Sequence, residues 1–217
     1  MYFRDRREAG RQLAKLLNEY AHRPDVLVLA LPRGGVPVGF QVARALGAPL
    51  DVLLVRKLGV PGHEELAMGA VASGGVRVLN QDVVEHLNIP FRIVERVTAK
   101  ELGELERRER AYRRDRPQPE LGERTLILVD DGLATGSTMR AAVLALRRRG
   151  PRKIVVAVPT ASPQTCADLR SDADEVICAI TPEPFYAVGI WYRDFSEISD
   201  DEVRRLLADA ADLTISC

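Results

Sequence analysis

The residues best equipped for chemistry stand together in Leu128-Val129-Asp130-Asp131-Gly132-Leu133-Ala134-Thr135-Gly136-Ser137-Thr138. Two adjacent carboxylates close an apolar run, and small and hydroxylated residues come next. Small residues ahead of a helix leave backbone N–H groups free to surround a phosphate, and the hydroxyls of Thr135, Ser137 and Thr138 add donors. The carboxylates of Asp130 and Asp131 would repel that phosphate. They are suited instead to accept hydrogen bonds from sugar hydroxyls, and to reach a divalent cation directly or through water. A phosphate cup beside diol acceptors describes a site for a ribose 5-phosphate. The plainer alternative is an Asp-Asp-Gly turn leading into a Thr-capped helix. The strand, acid pair, small-residue loop and helix in that order argue against it. The missing Gly-Lys-Ser/Thr ending excludes a Walker loop.

Three other stretches are candidates for the same site. Pro32-Arg33-Gly34-Gly35 stands directly after an apolar run, and a guanidinium there suits bidentate contact with a phosphate. Alone, an Arg-Gly-Gly turn says little. Arg56 and Lys57 end a second apolar run and open residues 59–68, whose two glycines and proline suggest a lid carrying His63, Glu64 and Glu65. The bland reading of these charges is a solvated strand end and loop. Phe185, Tyr186, Trp191, Tyr192 and Phe195 crowd one C-terminal segment. Phe185 and Tyr186 could stack on a flat heterocycle; Trp191 and Phe195 read as core.

These residues need a scaffold, and hydrophobic patterning supplies one. The continuous apolar run 26–31 reads as a strand buried on both faces, 50–55 and 125–129 read as further buried strands, and 154–158 and 175–180 as a fourth and fifth strand. Residues 5–22, 37–46, 136–149 and a segment opened by the capping box Ser199-Asp200-Asp201-Glu202 read as helices. Residues 69–72 and 76–79 suggest a hairpin around Ser73-Gly74-Gly75. Residues 56–68 read as turn-rich, without apolar periodicity. Residues 91–115 form a long charged helix ended by Pro117 and Pro119. Strands alternating with helices predict an α/β fold, a doubly wound and mostly parallel sheet flanked by helices. One domain spans 1–217, with a core over about 22–182, a helical insertion over about 82–118 and a small hood over about 183–217.

Composition narrows the partners. In 217 residues, Lys+Arg and Asp+Glu both number 31, so no net field calls for nucleic acid or an acidic membrane. Three cysteines without CxxC spacing argue against a disulfide framework or structural zinc. No apolar run approaches the ~20 residues of a membrane span, and a cytoplasmic protein is expected.

The 128–138 segment resembles the PRPP-binding signature of type I phosphoribosyltransferases, where PRPP is 5-phosphoribosyl-1-pyrophosphate. The resemblance runs in order over residues 26–195. It implies that Asp130 and Asp131 hold the ribose 2- and 3-hydroxyls, and a Mg²⁺ directly or through water. It further implies that residues 134–138, within the PRPP-binding stretch 132–138, hold the 5-phosphate. The 32–35 segment resembles the family's pyrophosphate loop, making Arg33, Gly34 and Gly35 PRPP-binding residues. Arg56-Lys57 resembles the basic pair ahead of the catalytic loop of adenine enzymes, so Arg56, Lys57, Glu64 and Glu65 become catalytic candidates. The aromatic segment is similar to the part of purine enzymes that closes over the base, making Phe185 and Tyr186 base-binding candidates. Ala134 departs from 6-oxopurine enzymes, which carry an acid there, and matches adenine and orotate enzymes. The implied activity is phosphoribosyl transfer from PRPP to a small-molecule nitrogen acceptor, in a homodimer. The competing expectation is a non-catalytic PRPP-binding regulator, with the arginines at 107–114 as an RNA-facing arm; interleaved glutamates weaken it.

Overall fold

The structure, a computed structural model, describes residues 2–113 and 117–215, without the side chains of Glu65 and residues 213–215. Five of its strands form the central sheet: β1 (Val26–Ala30), β2 (Leu50–Val52), β6 (Thr125–Val129), β7 (Lys153–Thr160) and β8 (Glu175–Ile180). They are parallel throughout, in the order β2-β1-β6-β7-β8. Every residue of β1 and β6 is buried, because helices cover both faces. Alternate residues serve opposite layers. Val28 and Ile127 join one apolar cluster with α1 (Arg6–Leu16), α2 (Gly35–Leu46) and α7 (Asp200–Ile215). Leu27 and Leu126 join the other with α5 (Ser137–Arg147) and α6 (Pro163–Leu169).

The register fixes the site. Val26 pairs with Thr125 and Ala30 with Val129, so β1 and β6 end level at their carboxyl edge. The turns that leave these two strands, residues 31–35 and 130–136, therefore emerge side by side. Open α/β sheets bind ligands at this edge.

Several expected boundaries shift. The apolar stretch 50–55 does not run through as one strand. β2 stops at Val52, and Val55 opens a second, antiparallel sheet of β3 (Val55–Val60), β4 (His63–Ala72) and β5 (Val76–Leu79). Residues 56–68, expected to be turn-rich, are thus a hairpin. Its tip at Pro61-Gly62 uses a glycine with φ of 82°, a left-handed conformation that other residues resist. Pairing shifts at Gly59 obscure the alternation that would have marked a strand. α6 lies outside the expected helices, although Ser162 caps it and Pro163 stands in its first turn. α6 also corrects the cysteine reading, for Cys166 on it is joined to Cys178 on β8 by a disulfide. A helix leading directly into its own parallel strand brings the two together without any motif spacing.

The insertion holds α3 (Gln81–His86) and α4 (Phe91–Arg113). Arg107 and Arg108 of α4 both bond Glu104, with contacts of 2.8 and 2.9 Å. Buried Arg113 bonds Asp51, Glu109 and the carbonyl of Val52. These arginines are engaged within the fold; Arg114 lies outside the described residues. Among the described residues, no helix is long and apolar enough to cross a membrane.

Candidate functional site

β6 delivers the acid pair to the sheet edge, where neither carboxylate is fully free. Asp130 turns one oxygen, Oδ1, back to accept from the backbone N–H of Asp131 at 2.8 Å. Asp131 Oδ2 accepts from Arg6 Nε at 2.7 Å. Burial raises both carboxyls above the usual range. The charge of Asp131 raises Asp130 further, whereas the Arg6 guanidinium works against the rise at Asp131. Tyr192 donates its hydroxyl to the backbone carbonyl of Asp131 at 2.5 Å, and burial keeps that phenol protonated.

The neighbouring turn is built around these carboxylates. A Cβ on Gly34 would lie 2.0 Å from Asp131 Oδ2, and one on Gly35 would lie 2.9 Å from the Cα of Asp130. Both glycines are therefore demanded by the close approach of β6, with φ at Gly34 an ordinary −60°. The Pro32–Arg33 peptide is cis. Arg33 reaches outward to Glu197 and lies 4.0 Å from Asp200, so its cation is shared with the acidic start of α7.

Asp130 and residues 132–139 enclose a cavity of about 130 Å³. Gly136, with φ of 70°, turns the chain into α5. Ala134, Thr135, Ser137 and Thr138 are exposed, whereas Gly132 and Leu133 are buried. The loop is tied from below, because Leu133 N–H bonds Thr160 O at 2.9 Å and Thr165 Oγ1 donates to Ala134 O at 2.9 Å. The result is a cup at a helix N-terminus, suited to a phosphate.

The basic pair separates. Successive residues of a strand face opposite ways. Arg56 pairs with Glu101 of α4, Nε to Oε2 at 2.7 Å. Lys57 faces the other side and lines a groove of about 520 Å³ with Thr135, Gly136, Ser137 and Arg140. Glu64 sits exposed at the hairpin tip and accepts from Gly62 N–H at 3.2 Å. Those backbone amides hold its carboxyl below the usual range. The side chain of Glu65 lies outside the described residues.

In the C-terminal segment, Trp191 stacks between Tyr2 and Phe185, at centroid distances of 5.6 and 6.5 Å. Tyr186 is 79% exposed. Phe195 covers the Arg6 guanidinium at 3.9 Å. Sequence reasoning missed Arg6 and Tyr192. A readable signal existed for Arg6: it heads the stripe Arg6-Ala9-Leu13 on the buried face of α1, and a charge on an apolar stripe requires a partner.

The donor set bears on a divalent cation. Arg6 engages Asp131 Oδ2, the Asp131 N–H engages Asp130 Oδ1, and the two carboxyls also bond each other. Among the described residues, no group of three or more His, Cys, Asp or Glu could form a metal cage. Mg²⁺ commonly takes one or two carboxylates, waters and substrate phosphates, and an adjacent carboxylate pair at the binding edge fits that pattern.

Comparison with known proteins gives this arrangement a family. The model of the phosphoribosyl transferase domain matches residues 61–189. A Mycobacterium tuberculosis protein, named a phosphoribosyl transferase as an unproven assignment, is 50% identical over 93% of this chain and 45% of its own length. The chain thus spans about half of that relative. A crystal structure from Thermus thermophilus is 44% identical with a TM-score of 0.88, covering 96% of this chain and 99% of that one. A purine phosphoribosyltransferase from Pyrococcus horikoshii is far more distant, at 18% identity and a TM-score of 0.48 over 88% of this chain and 90% of that one. This chain belongs to the phosphoribosyl transferase domain family.

Proposed function

We propose that the chain binds PRPP with Mg²⁺ at the β1–β6 edge and transfers its 5-phosphoribosyl group to a nitrogen acceptor, releasing pyrophosphate. The carrying observation is that the phosphate-sized cup, the Asp130–Asp131 pair and the Arg33-Gly34-Gly35 turn share one sheet edge. In this reading residues 134–138 take the 5-phosphate, and Asp130 and Asp131 take the ribose hydroxyls. Arg33 leaves its acidic partners to meet the pyrophosphate, and Lys57 adds positive charge from the hairpin. The bond from the anomeric carbon to pyrophosphate breaks, a bond to the acceptor nitrogen forms, and the acceptor's proton passes to solvent. The chain's main contribution is to position the donor and stabilise charge on the leaving group. When bound, Mg²⁺ would be held by Asp130 and Asp131, directly or through water, together with pyrophosphate, and would supply further charge neutralisation. Ala134 provides no general base, which disfavours 6-oxopurines. The aromatic segment favours another flat heterocycle, with Phe185 nearer the stack than exposed Tyr186.

PRPP with Mg²⁺ is expected to raise the melting temperature, and the double variant Asp130→Asn, Asp131→Asn to abolish the rise. A wild-type response in the double variant would overturn the site. Pyrophosphate release from PRPP across a panel of nucleobases then tests transfer. Tight PRPP binding with no release for any base would favour a PRPP-binding regulator. The internally paired arginines of α4 weaken an RNA-binding version of that alternative.

A further inference from the structure

We infer that Arg6 is a positioning residue for the sugar site, fixing which oxygen of Asp131 is presented to the ribose diol. This inference rests on the ribose-phosphate reading of the site and adds a residue outside every loop that reading uses.

Three independent contacts hold Arg6. Its Nε bonds Asp131 Oδ2 at 2.7 Å, its Nη1 bonds the Ser196 carbonyl at 2.8 Å, and its guanidinium lies 3.9 Å from the Phe195 ring centroid. Its side chain is only 10% exposed and that of Asp131 15%. A buried cation of this kind is costly without a fixed partner. Asp5 caps the helix that carries it, accepting from Glu8 N–H at 2.7 Å, so Arg6 projects from the first turn of a rigid element.

The geometry leaves Asp131 little choice. Oδ2 occupies the space that a Gly34 side chain would need and is taken by Arg6. Tyr192 pins the backbone of the same residue through its carbonyl. Oδ1 is the oxygen that Arg6 does not take, and the one a sugar hydroxyl would meet. The N-terminal helix and the C-terminal segment thus meet on one side chain at the binding edge.

The test compares ribose 5-phosphate with 2,3-dideoxyribose 5-phosphate by calorimetry, without divalent cations. Wild type is expected to prefer the diol by about tenfold or more, the effect of hydrogen bonds to a charged acceptor. In Arg6→Gln the preference should fall towards unity, while affinity for the dideoxy compound stays within about twofold of wild type. An unchanged preference would overturn the inference, and so would a parallel loss of both affinities, the mark of a merely structural role. If Arg6→Gln does not fold, Arg6→Lys keeps a cation but loses the planar fork. It should lower the preference part-way, and an unchanged preference there also overturns the inference. Wild type showing no preference at all would sink the ribose-phosphate reading itself.

Discussion

The parallel-sheet edge and the β3–β4 hairpin both carry charged residues expected at the site, yet they treat them differently. At the edge, β1 and β6 are buried on both faces and locked in register. Residues from different elements converge there: Arg6 from α1, Gly34 from the turn after β1, and Asp130 and Asp131 from the turn after β6. On the hairpin, each charged residue goes its own way, Arg56 to α4, Lys57 to the groove and Glu64 to the tip turn. A buried edge imposes convergence because the strands cannot slide or rotate. An edge strand of a small antiparallel sheet imposes only alternation.

The sharpest test of that difference uses two adjacent glycines at the edge. Gly34→Ala would drive a methyl into Asp131 Oδ2. The carboxylate would have to leave both Arg6 and the sugar position. PRPP-induced stabilisation is expected to vanish, and separating the buried Arg6–Asp131 pair is expected to cost the free protein about 3–5 kcal/mol. Gly35→Ala meets backbone instead, 2.7 Å from the Val129 carbonyl. It is expected to cost about 1–3 kcal/mol of stability as overpacking. Denaturant titration and PRPP thermal shifts on both variants separate the outcomes. Full PRPP response in folded Gly34→Ala would break the picture of a converged edge.

That contrast also explains what was legible beforehand. Buried strands 26–31 and 125–129 declared themselves because parallel strands need unbroken apolar runs, and half-buried edge strand 175–180 was legible from a shorter one. The Asp130 loop was legible because its chemistry is contiguous in the chain. Arg6 was not, because its partner stands 125 residues away and only the fold joins them. The hairpin was hidden by Gly59, where the pairing shifts, and by a β4 strand rich in small residues. The disulfide was hidden because topology, not spacing, pairs Cys166 with Cys178.

A second test addresses the electrostatic cost of convergence. Asp130 and Asp131 both have carboxyls raised by burial and, for Asp130, by its neighbour's charge. A carboxyl raised on folding contributes stability that is complete below its unfolded value and is lost as pH rises through its folded value. The pair should therefore weaken the free protein progressively as pH climbs from the ordinary value of 3.8. Asp25 and Glu104, whose arginine partners hold them near 2, push the opposite way. The informative quantity is thus the difference between wild type and Asp130→Asn, measured in chelator. Asn keeps an oxygen for the Asp131 N–H and removes one charge. It is expected to raise the melting temperature at neutral pH by a few degrees, 1 kcal/mol being roughly 2–4 °C at this size. The gain should shrink on acidification. A gain that grows with acid would show that Asp130 is stabilising as an anion.

The smallest effects are expected on the hairpin, and they decide whether Arg56 and Lys57 act as a pair. Arg56→Gln removes a partly exposed ion pair with Glu101 and should cost less than about 1 kcal/mol. It should leave PRPP affinity unchanged, because its side chain faces α4. Lys57→Gln should do the reverse. Its melting temperature stays put, while PRPP and pyrophosphate bind roughly two- to fivefold more weakly through loss of a partly screened cation beside residues 135–137. Raising the salt concentration should erase that difference between Lys57→Gln and wild type. Isothermal titration of both variants reads it directly. Equal losses of affinity would mean that the hairpin rotates on binding and brings both cations to the edge. Alternation along β3 would then describe only the ligand-free arm.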